Sequence, residues 1–95
     1  MESKKAFIYW THPSQKRLQV GIKYYPHIVR DDDAKRVHWS VQFLITDANQ
    51  EKQGIIDFTM LADNYEAREF YKTLTSGTQI TLFEAYTEVA KGYIV

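Results

Sequence analysis

Apolar and polar residues alternate in short runs along most of this chain, which is the period-two signature of half-buried strands. Lys5 to Thr11 is rich in aromatic and β-branched residues and stops at the turn cluster His12-Pro13-Ser14. Leu18 to Tyr25 alternates with Leu18, Val20, Ile22 and Tyr24 on one face, and Pro26 ends it because proline has no ladder donor. His27 to Lys35, containing the run Asp31-Asp32-Asp33, reads as an exposed loop. Val37 to Thr46 places Val37, Trp39, Val41, Phe43 and Ile45 on one side. A polar connection over 47–54 leads into a fourth strand, Gly54 to Leu61.

The period then changes. Asp63 can cap a helix, with Glu66 three residues on completing a capping box. Ala67, Phe70, Tyr71 and Leu74 recur at helical spacing, and Gly77 is the expected terminator. Thr78 to Ala85 and Glu88 to Val95 close the pattern as a hairpin. The expected fold is mainly β, one domain over 1–95: a six-stranded antiparallel β-barrel with one short helix between strands 4 and 5. Closure is expected because it pairs edges that would otherwise recruit other chains.

Composition narrows the chemistry. The 95 residues include seven Tyr, five Phe and two Trp, and aromatics amount to 15%. Phe7, Tyr9, Trp39, Phe43, Phe58, Phe83 and Tyr93 read as mostly core, whereas Trp10, Tyr24, Tyr25 and Tyr86 are left between core and surface. The lack of cysteine excludes disulfides, thiolate metal clusters and a cysteine nucleophile. No run has the length and character of a signal peptide or membrane span, so the expectation is a cytoplasmic protein with no membrane contact. The net charge of zero is unevenly spread. Residues 1–36 carry eight Lys and Arg against four acids, and residues 37–95 carry four against eight.

The closing segments carry a resemblance. Gly77-Thr-Gln-Ile-Thr-Leu-Phe-Glu84, a turn, and then Val89-Ala-Lys-Gly92-Tyr-Ile-Val resemble the end of the third domain of translation elongation factor Tu. Gly21-Ile-Lys-Tyr-Tyr25-Pro26-His-Ile and Leu74-Thr-Ser-Gly77 are similar to segments earlier in that domain, in the same order. The resemblance implies a six-stranded antiparallel barrel that packs on neighbouring domains and touches the T-arm of aminoacyl-tRNA. In that family the turn after the glutamate contacts RNA through a glycine-glycine-arginine stretch. Here it reads Ala85-Tyr86-Thr87-Glu88, acidic where the family is basic.

No nucleophile motif, phosphate-cradling glycine loop or helix-borne metal pair occurs, so no enzymatic activity and no cofactor are expected. His12, His27 and His38 lack metal-site spacing, with His12 and His27 beside prolines in turns. Asp31-Asp32-Asp33 reads as a solvated charge run rather than a calcium loop. Glu84 and Glu88 flank the last turn, with Glu84 read as turn-stabilising. What remains is binding. The candidate contacts are Lys16, Arg17, Lys23, Tyr24, Tyr25, Arg30 and Tyr86. The leading expectation is a non-catalytic module for protein–protein interaction, marked by an exposed apolar patch. The alternative is an RNA or tRNA-binding module using the basic N-terminal third, with Lys16, Arg17, Lys23 and Arg30 converging beside Tyr24 or Tyr25.

Overall fold

A computed structural model describes residues 2–12, 20–48 and 52–95. Its strands are β1 (Lys4–Trp10), β2 (Lys23–Tyr24), β3 (His27–Arg30), β4 (Trp39–Ala48), β5 (Gln53–Met60), β6 (Gln79–Glu84) and β7 (Thr87–Ile94), with one helix, α1 (Tyr65–Lys72). The order is β2-β4-β3-β6-β7-β1-β5, and a further β4–β5 pairing closes six strands into an antiparallel barrel. β2 is the extra strand.

The helix therefore follows the fifth strand rather than the fourth. Pro26 is the reason. Lys23↔Leu44 and Tyr24↔Phe43 share one register with His27↔Ser40 and Ile28↔Trp39, so β2 and β3 are two halves of a single run along β4. The Pro26 carbonyl still accepts from Val41 N–H at 3.0 Å, but proline has no N–H of its own to extend the ladder. Past the break the chain continues as strand, so the expected loop over His27–Lys35 begins only after Arg30. β3 turns its free edge to β6, pairing His27↔Phe83 through Arg30↔Ile80. Of the apolar face expected before Pro26, Tyr24 packs against the core, Val20 and Ile22 are exposed, and Leu18 lies outside the described residues; Val37 ahead of β4 is exposed as well.

β1 supplies the closing seam, paired to β5 on one side and β7 on the other. Gly92 of β7 lies so close to β1 that a Cβ there would stand 1.9 Å from the Phe7 carbonyl oxygen. Ala6, Ile8 and Trp10 point inward from β1, and Ala90 and Ile94 do so from β7, alongside Phe43, Ile45, Ile56, Phe58, Ile80 and Leu82. Phe7, Tyr9 and Tyr93, expected in the core, face outward instead. Phe83 also lies outside the core cluster, half-buried, while Trp10 lies inside it.

α1 plugs the end of the barrel where β5 finishes. Its cap is Asn64, one residue later than expected, whose side chain accepts from Ala67 N–H at 2.8 Å. Asp63 pairs instead with Arg68. The helix stops at Thr73, so Gly77 (φ +87°) does not terminate it. Gly77 turns the chain into β6 and donates to Ile94 at 2.7 Å. Ala67, Tyr71 and Leu74 enter the core, and Phe70 stacks on Trp39 at 5.5 Å. The Tyr71 hydroxyl shares its proton between the carbonyls of Glu2 (2.6 Å) and Phe58 (3.0 Å). Lys4 donates to the Leu74 carbonyl at 2.8 Å and lies over the Tyr71 ring. At the opposite end, Trp10, Tyr24 and Phe43 pack in a row with ring centres 6.5 and 5.3 Å apart. No helix among the described residues is long and apolar enough to cross a membrane.

Gly92→Ala must push β1 from β7 and is expected to cost at least ~3 kcal/mol in urea unfolding. Gly77→Ala meets open space and costs about 1–2 kcal/mol, through its backbone angle alone. Burial pushes the Tyr71 phenol up to about 12. The unfolded phenol ionises near 10. Between these values the folded state holds the extra proton, so stability falls as pH rises through that window. The expected loss is roughly 2–3 kcal/mol. It is read as the difference from Tyr71→Phe, which cannot show it.

Candidate binding surfaces

Alternation along the seam strands sets which side chains face outward. On β1 these are Lys5, Phe7 and Tyr9; on β5, Gln53, Ile55 and Asp57; on β7, Lys91 and Tyr93. Register then places them in rows. Phe7 stands opposite Ile55 on one side and Tyr93 on the other, and Tyr9 stands opposite Gln53 and Lys91. The Phe7 and Tyr93 rings stack at 5.4 Å with an interplanar angle of 30°. Tyr9 is 42% and Tyr93 46% exposed. Ile55, Phe7 and Tyr93 thus form an apolar strip across three strands, with Tyr9 beside it. A hollow of about 190 Å³ opens next to Phe7, floored by Gly54 and Ile55 and walled by Asp47, Ala48 and Gln53. It lies where β4 shifts register between Ile45 and Asp47.

Charges border the strip and are paired. Lys5 meets Asp57 at 2.6 Å, and Lys91 lies 3.8 Å from both Glu88 and Asp31. Thr81, fully buried, donates to Asp31 at 2.5 Å and accepts from Lys91 at 3.1 Å. Thr11 donates to Glu88 at 3.1 Å. One polar chain therefore ties the loop after β3 across β6 and β7 to the end of β1.

Of the triple aspartate, expected to be a solvated run, Asp31 is part of that construction, while Asp32 is exposed. Asp31 holds Thr81. Asp32 lies 2.5 Å from the Arg30 Nε, a charge contact without an aligned hydrogen bond. Asp33 accepts from the backbone N–H groups of Lys35 (3.0 Å) and Val37 (3.3 Å). Those two donors hold its carboxyl below the usual carboxylate range.

The residues singled out from sequence fall in separate places. Lys16 and Arg17 lie outside the described residues. Tyr24 is packed on Phe43 and the core. Lys23 and Tyr25 are exposed at the β2 half of the broken strand, and Tyr25 is 60% exposed. Arg30 ends the β3 half, roughly 20 Å further on at strand rise. Tyr86 is 93% exposed at the β6–β7 turn. Lys23 and Arg30 are not brought together. The strip of Phe7, Tyr9, Ile55 and Tyr93 was missed by sequence reasoning, although one signal was available: Lys91 and Tyr93 share a strand face, and a lysine marks that face as outward. No family model, curated protein or solved structure matches this chain.

Thr81→Val removes the hydroxyl that bridges Asp31 and Lys91. It is expected to cost about 1–2 kcal/mol by urea unfolding and to speed amide exchange over residues 31–38. Unchanged exchange there would show that the bridge does not anchor the loop.

Proposed function

We propose that the chain is a non-catalytic binding module that recognises another protein through the outer face of β5, β1 and β7. One observation carries this reading: half-buried Ile55 and Phe7 form an outward apolar strip with exposed Tyr93 across three strands, with exposed Tyr9 at its side. Tyrosine on a pre-formed surface loses little freedom on binding and contributes a large contact area, which is why such residues dominate interface energetics. The bordering charges support a protein partner over RNA. Lys5, Lys91 and Arg30 each already face a carboxylate, so a phosphate backbone would have to displace it. The likeness of the closing hairpin to a translation-factor barrel is compatible with a docking role and says nothing of the partner.

The test places a photo-cross-linking residue at Tyr93 in the full chain inside cells. A discrete protein adduct is expected, lost when Tyr9→Ser and Ile55→Ser are added and retained with Tyr86→Ser. Tyr9→Ser and Tyr93→Ser should each weaken the recovered partner's binding at least about tenfold, with unfolding midpoints little changed. Salt-sensitive binding to bulk tRNA, unaffected by these substitutions, would replace this reading with an RNA-binding one.

A further inference from the structure

Strand pairing assembles a second cluster away from that strip. His27 opens β3, opposite Ser40 of β4 and Phe83 of β6. It is therefore not a turn residue, as its neighbouring proline had suggested. His38, just ahead of β4, comes back against it with ring centres 5.8 Å apart and planes at 89°. Phe83 packs on His38 at 4.7 Å, and Tyr86 closes in at 6.4 Å. The Nδ1 atoms of both histidines are buried and have no hydrogen-bond partner.

Two buried, unpartnered ring nitrogens in touching imidazoles call for an explanation, because buried polar atoms are nearly always satisfied. We propose that His27 and His38 form a two-imidazole site for a first-row transition-metal ion, binding Cu(II) most tightly and Zn(II) less so. With the proton on Nε2, each Nδ1 carries a lone pair, the form of imidazole that ligates metals. A metal ion about 2.0–2.1 Å from one nitrogen of each ring stands roughly 3.2 Å from each ring centre, so shared ligation needs centres about 5–6 Å apart. The observed 5.8 Å lies in that span. Neutral nitrogen ligands suit copper, nickel and zinc, and in that series copper binds most strongly. Among the described residues no cluster of three or more His, Cys, Asp or Glu is placed to hold a metal. With two protein ligands, water or an added ligand completes the coordination. The flanking Phe83 ring holds His38 in place but donates nothing.

The experiment titrates the untagged full-length protein with CuCl₂ and with ZnCl₂, following heat and ¹H–¹⁵N spectra. One equivalent of Cu(II) is expected to bind, more tightly than Zn(II), and to broaden resonances of residues 27–28, 38–40 and 83 first. His27→Gln and His38→Gln should each weaken copper at least about tenfold, while His12→Gln leaves it unchanged. The broadening pattern is read on the wild-type chain, so it decides the matter even if a variant fails to fold. Absence of binding, broadening centred elsewhere, or affinity lost with His12→Gln alone would overturn the site.

Discussion

The rest of the barrel depends on the contact between Gly92 and the Phe7 carbonyl. β1 and β7 come from opposite ends of the sequence, and their pairing joins two open sheet edges into a wall. No side chain fits at residue 92, where even a methyl carbon would overlap the backbone of β1. Without that approach β1 would keep only β5 as a neighbour. The barrel would then open along one edge, with unpaired backbone groups available to other chains.

Alternation along the strands of this seam separates inner from outer residues. Inward residues pair small against large across the seam, Ala6 with Ile94, Gly92 with Ile8 and Ala90 with Trp10. The rings of Phe7, Tyr9 and Tyr93 take the outer side. Phe7 and Tyr93 stack there, on three strands joined by two ladders. The outer strip follows from the pairing that closes the barrel.

Polar groups secure the parts that closure leaves loose. Tyr71 ties the plugging helix to β5 and to the segment before β1 through one shared proton. Across the barrel wall, Thr81 and Lys91 hold Asp31, and Asp33 folds the loop on itself. That loop follows β3, whose Val29 is fully buried yet outside the main core. It also delivers His38 to His27. The imidazole pair exists because an acidic loop is tied down twice.

The sequence by itself determined the local periods: six strand-like runs, one amphipathic helix, and turns at the glycines and polar clusters. These follow from nearest-neighbour chemistry, and Asn64 shows the precision to expect, since the cap fell one residue from Asp63. Tertiary structure decided three things. Lys5 to Trp10 is apolar at nearly every position, so alternation could not say which face was inner; only the pairing of β1 with β5 and β7 around the core settled it. Pro26 signals the end of a ladder, but whether the chain then leaves the sheet depends on β6 being there to receive β3. The partners of Asp31 come from β6 and β7, distant in sequence, and the meeting of His27 with His38 depends on the β3–β4 pairing; no pattern within a short window contains either.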